Sequence, residues 1–148
     1  MRPFAKRFLY LLLPALAAAA WAANTEISPN RPVINFSLPT FTPDGHRSWL
    51  VRGSEAVFSN RNQIDVKGLT LSVFSGKEDG KIETVILSPA ARVVPAEALA
   101  TGAGTIRVIN DEFEAQGADW QYAHKEKRVS IAKDVRVVFN TELKDFLK

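Results

Sequence analysis

Apolar and polar residues alternate along most of this chain, and the alternation stops only at short charged or glycine-bearing segments. A period of two places alternate side chains on one face of a pleated strand. One pattern occurs twice. Trp49 to Phe58 runs into the polar turn Ser59-Asn60-Arg61-Asn62, and Ile64, Val66, Leu69, Leu71 and Val73 follow, ending in Phe74. Phe113 to Tyr122 runs into His124-Lys125-Glu126-Lys127, and Val129, Ile131, Val135 and Val137 follow, ending in Phe139. A strand, a charged turn and a strand, written twice, predict one long antiparallel sheet extended hairpin by hairpin.

The intervening segments fit the same plan. Val33 to Phe41 reads as an edge strand, because Pro39 cannot donate to a central ladder. Pro43-Asp44-Gly45 is a turn, and Gly53 and Gly68 mark bulges or bends inside strands. Gly76 to Gly80 is a charged loop before a strand at Ile82 to Leu87. Pro89 to Leu99 is ambiguous: Val93-Val94 can extend a strand, while Pro95 to Leu99 suits one helical turn with proline in its first position. Thr101-Gly102-Ala103-Gly104 then leads back into a strand at Thr105 to Ile109. Val57-Phe58, Val73-Phe74 and Val138-Phe139 make strand ends apolar on both faces, which suits a sheet that curls over itself. The expected class is all-β: a twisted, partly open antiparallel sheet of repeated hairpins.

The first residues change the reading of the charge. Arg2, Lys6 and Arg7 precede an apolar run from Phe8, and Ala20-Trp21-Ala22 has the small-x-small form of a cleavage site. Residues 1–22 therefore read as a signal peptide cut before Ala23, with Ala20 as a second candidate. Retention as an N-terminal anchor is the alternative, although the run of about 16 residues is shorter than the roughly 20 of a spanning helix. The net charge of +3 resides in those three basic residues, since no acidic residue precedes Glu26. Beyond them basic and acidic residues balance at 16 each, so the basic footprint of a nucleic-acid binder is absent. With no cysteine, the chain tolerates an oxidising compartment but draws no stability from disulfides. Residues 23–32 read as a flexible leader, 33–140 as one β-domain and 141–148 as a tail or short helix.

Candidate chemistry is sparse. His46 and His124 both fall in charged turns without partners at ligand spacing, and read as solvated. Glu78-Asp79 and Asp111-Glu112 are adjacent acidic pairs on loops, where side chains diverge and cannot face each other across a cleft. Gly102-Ala103-Gly104 lacks the lysine and helix of a phosphate cradle. No catalytic residue, metal ligand or cofactor is expected, and an enzyme is disfavoured. The remaining signal is the aromatic and aliphatic set, which forms either an ordinary core or an apolar slot.

The order of these residues carries a resemblance. Phe41-Thr42-Pro43-Asp44-Gly45, Trp49, Ala56 and Phe58, then Ile64-Asp65-Val66 and Leu69 to Phe74, resemble the periplasmic lipopolysaccharide-export proteins of the LptC type. The LptA and OstA-like group is similar. Ile86 to Ala91, Gly104 to Ile109, Phe113 to Trp120 and Val129 to Phe139 extend the resemblance over most of the chain. It implies a partly open β-jellyroll whose slot shelters lipid A acyl chains, with jellyrolls joined end to end through strand edges. On that basis Leu71, Val73, Ile86, Ile106, Val108, Val137 and Phe139 are the expected groove lining. Val33, Phe36, Phe41, Val135 and Val138 are the expected edge positions. The implied partners are lipopolysaccharide, other jellyroll subunits of the bridge and, for an anchored form, the inner-membrane ABC transporter. LptC-type proteins usually keep their N-terminal helix as an anchor, and the cleavable look of residues 1–22 departs from that pattern.

Overall fold

The computed structural model describes residues 30–140. The expected signal peptide, most of the leader and the tail at 141–148 lie outside the described residues. Seven strands follow one another in sheet order: β1 (Pro32–Phe41), β2 (Arg47–Asn60), β3 (Gln63–Phe74), β4 (Ile82–Val94), β5 (Leu99–Asn110), β6 (Phe113–Ala123) and β7 (Arg128–Phe139). Every neighbouring pair is antiparallel. The sheet does not close: β1 pairs only with β2 and β7 only with β6.

Two expected elements were too short. The strand predicted at Ile82 to Leu87 continues through Pro89 to Val94, and the supposed loop at Thr101 to Gly104 is part of β5. Proline is tolerated in this central strand because the ladder skips it. Lys67 pairs with Ala90 and Leu69 with Ser88, leaving Pro89 without a β3 partner. The helical turn is a 3-10 turn, Pro95–Glu97, with proline at its start.

The skipped pair belongs to a crease that crosses the sheet. In β3 the alternating buried positions are Ile64 and Val66, then Leu69, Leu71 and Val73, with Phe74 buried as well at the strand end. In β4 they are Ile86 and Ser88, then Ala91 and Val93, and in β6 Ala115, then Trp120 and Tyr122. Each strand thus slips by one residue at mid-length, so that the same face stays inward on both sides of a bend. Positive φ angles mark the line: Asn35 at 53°, Gly68 at 60°, Asp119 at 56° and Asp134 at 52°. Glycine takes this region freely, and asparagine and aspartate bear it better than other residues. Gly53 serves the crease through space, since a Cβ there would stand 2.3 Å from Val66 Cγ1 and 3.0 Å from the Lys67 carbonyl oxygen. Where the β4–β5 ladder opens, the buried Ser88 hydroxyl has the carbonyls of Thr105 (2.7 Å) and Ala90 (3.0 Å) as alternative acceptors for its one proton. A polar group freed by the bend is thereby satisfied.

Folding at the crease brings distant strands together. Trp49 pairs with Val73 at one end of the sheet, and Tyr122 pairs with Ala100 at the other. Yet their rings lie 6.3 Å apart. One end of β2 therefore packs over the opposite end of β6, and the inward side chains form a single cluster from Phe36 to Tyr122.

Candidate functional site

Register decides which side chains face the interior at the open edges. Val137 stands opposite the buried Ala115, and Val33 opposite the buried Ala56, so both point to the inner face. Val137 nevertheless remains 42% exposed and Val33 40%. Phe139, paired with Phe113 and meeting it edge-on at 6.3 Å, is 69% exposed. The inner face is thus sealed over the central strands and the start of β7, where Val129 and Ile131 pack against the core, and bare along the second half of β7.

The expected groove lining divides accordingly. Leu71, Val73, Ile86, Ile106 and Val108 are fully buried in the core, where neighbouring side chains fill the space around them. Val137 and Phe139 lie in the exposed strip. Of the expected edge positions, Val33, Phe41, Val135 and Val138 are exposed. Phe36 is buried instead and meets Phe58 edge-on at 5.9 Å. A concavity of about 840 Å³ is lined by polar side chains such as Glu55, Asp65, Lys67, Arg92 and Gln121 together with apolar residues such as Val57, Ala91, Trp120 and Ile131. Its ion pairs, Arg92 with Asp65 at 3.0 Å and Lys67 with Glu55 at 3.3 Å, are largely solvated.

His124 corrects the sequence reading. It is not a solvated turn residue: its ring stacks on Trp49 at 5.1 Å with an 11° interplanar angle. Its Nε2 lies 2.6 Å from the Ser48 hydroxyl and its Nδ1 2.8 Å from the Tyr122 hydroxyl. Burial, aided by the Lys127 charge, lowers its pKa. Burial chiefly, with Glu83 nearby, raises that of Tyr122, which stays a neutral phenol. A serine beside a histidine suggests a nucleophile, but the third member here carries no charge to stabilise an imidazolium. Ser48 and His124 are 76 residues apart, and no local pattern announces their meeting. His46, by contrast, stays in the β1–β2 turn, its backbone N–H donating to the Thr42 hydroxyl at 3.2 Å.

Among the described residues no cluster of histidine, cysteine and carboxylate side chains is arranged to hold a metal ion. No helix there is long and apolar enough to cross a membrane.

An unclosed, creased meander with a packed centre and bare apolar edges defines an open β-jellyroll of the LptA-like type. One solved structure it resembles is LptH from Pseudomonas aeruginosa, described as the LptA-homologous periplasmic component of that organism's lipopolysaccharide transport device. The two superpose with a TM-score of 0.55 at 11% identity, over 76% of this chain and 96% of that one. At that identity the likeness establishes the fold. No family model matches the sequence, and no curated protein does.

Proposed function

We propose that this chain is a periplasmic component of lipopolysaccharide transport that shelters lipid A acyl chains and passes them to a neighbouring jellyroll. The observation that carries this reading is the inner-face strip of Val137 and Phe139, left exposed on the unpaired strand β7. Each methylene moved from water onto such a face gains about 0.8 kcal/mol, enough to hold a long chain without sugar-specific contacts. Leu71, Val73, Ile86, Ile106 and Val108 then receive the chain when the folded halves part. The edges of β1 and β7 offer unpaired backbone groups to the next jellyroll. The fold shared with LptH supports the reading, and a retained N-terminal anchor adds the ABC transporter as a partner.

The test is a native mass spectrum of protein expressed in a lipopolysaccharide-producing host and purified from the periplasm without detergent. A carrier emerges with a lipid A-bearing adduct, which Val137→Asp or Phe139→Asp removes while the fold persists. Folded protein that stays empty even after lipopolysaccharide is added refutes it.

The filled core favours a second reading, an adaptor jellyroll that assembles through its strand edges without lipid. The Asn140 N–H donates to the Glu112 carbonyl, so strand alternation turns the Val137 N–H toward the open edge. Val137→Pro removes that donor without breaking the β6 ladder. An adaptor loses its partner by this change, and a lone carrier keeps its lipid.

A further inference from the structure

The two halves of the sheet are held together by more than their core. Among the described residues, the polar contacts that join strands not adjacent in the sheet gather at one place, the β6–β7 turn. Ser48 of β2 and Tyr122 of β6 grip the two nitrogens of His124, while Trp49 covers its ring. Lys127 donates to Glu83 of β4 at 2.9 Å and to the Phe74 carbonyl of β3 at 3.4 Å. These ties clamp one diagonal of the folded sheet, from the start of β2 to the end of β6. The bare strip of β7 belongs to the other diagonal. Since the interior is packed, a long acyl chain enters only if the halves separate, and full separation requires this clasp to break.

Resting on the carrier reading above, we infer that the clasp is a latch, released by protonation of His124, that governs opening of the sheet to acyl chains. A neutral imidazole accepts one hydroxyl proton and donates its N–H to the other hydroxyl. Protonation leaves both bonds formable but puts a cation in a half-buried niche beside a second cation. The charged and titratable groups around the ring are Lys127 with its partner Glu83, Tyr122, and exposed Lys125 and Glu126 on the same turn. Arg47 on the β2 side is engaged over the Phe74 ring at 5.7 Å. Glu97, exposed on the loop whose Ala98 carbonyl accepts the His124 N–H, completes the set. The only carboxylate bonded within the clasp, Glu83, is already taken by Lys127.

The sign is fixed by the direction of the titration. A histidine held below its ordinary pKa favours the closed form above about pH 6.5, and that preference fades as pH falls. The open population rises about tenfold for each pH unit separating the closed and open titrations.

The experiment uses the full chain and the uncharged probe 1-N-phenylnaphthylamine, with uptake followed by stopped-flow fluorescence from pH 8 to pH 5. Hydrogen exchange at 49–51 and 120–122 is read in parallel, and circular dichroism confirms the fold at each pH. Faster uptake and faster exchange on acidification, both abolished in His124→Gln, are expected. Ser48→Ala, which loosens the grip without a charge, should speed uptake already at pH 8. Uptake that ignores pH, or a pH dependence that survives in His124→Gln, overturns the latch and leaves the carrier reading intact. Folded protein that takes up no probe at any pH, in any variant, overturns the carrier reading and the latch with it.

Discussion

Leu71 and Val137 are both expected lining residues, yet the fold gives them opposite mechanical roles, which a pair of substitutions separates. Leu71 sits at mid-sheet between Val51 and Ile86, with no exposed surface. Truncating such a side chain removes its transfer energy and leaves a cavity that a packed sheet cannot close, so Leu71→Ala costs about 2–5 kcal/mol. A fully buried valine is worth about 1.5–3 kcal/mol. Val137 keeps 42% of its surface in water and loses only its outer carbons in Val137→Ala, so that change costs about 1 kcal/mol. With a urea dependence of about 2 kcal/mol per molar, the core variant unfolds roughly 1–2.5 M earlier and the edge variant about 0.5 M earlier. Equilibrium urea unfolding followed by circular dichroism, with the slope checked in each variant, measures both. Equal losses would show that β7 is packed in solution and that its strip is no open face. A loss below about 1 kcal/mol for Leu71→Ala would show instead that the centre of the sheet is already loose.

Three further outcomes follow from the crease and the charges. Gly53→Val places carbons where Val66 and the Lys67 carbonyl already stand, and thermal unfolding should show a loss of about 1–3 kcal/mol or an unfolded chain. Asp134→Gly relieves a left-handed residue at φ 52° and should be neutral or stabilising, whereas Asp134→Val destabilises; melting temperatures distinguish the two. The melting temperature should fall in two steps on acidification. The first, below about pH 6.5, belongs to His124 and vanishes in His124→Gln. The second lies near and below the ordinary carboxylate pKa of about 4. Partial burial works against the Asp65 carboxylate, but its bonds to Ser59 and Arg92 hold its pKa down, and Arg107 does the same for Glu114. Both groups therefore stabilise the fold above that pH and lose the contribution as they protonate.

The strands were legible because alternation is a local property. The strand read from Ile64 to Phe74 was bounded to within one residue from its period, and the other hairpin strands to within two residues at each end. The missed stretches, Ser88 to Arg92 and Leu99 to Gly104, failed for one reason. Proline and paired glycines normally punctuate strands, but here they stand on the crease, where the ladder has no bond to lose. Gly53 and Gly68 were read as bends; Asn35, Asp119 and Asp134 mark the same line, and their residue types alone do not announce it. The apolar lining set was legible as a set. Its division into a sealed centre and a bare edge was not, because that depends on how far the halves fold. His124 was misread because its partners Ser48 and Trp49 come from a distant strand.

Strand order identical to chain order also shapes how the molecule forms. Every ladder joins neighbours in sequence, so hairpins can zip one after another with only short loops to close. The single non-local event is the folding of the finished sheet along its crease, when Trp49 meets Tyr122 and the interior is sealed. Until then a broad apolar surface and two unpaired borders face solvent together, which is the state most prone to misassembly. The same topology makes length adjustable: a further hairpin beyond Phe139 would extend the sheet without re-routing any existing connection.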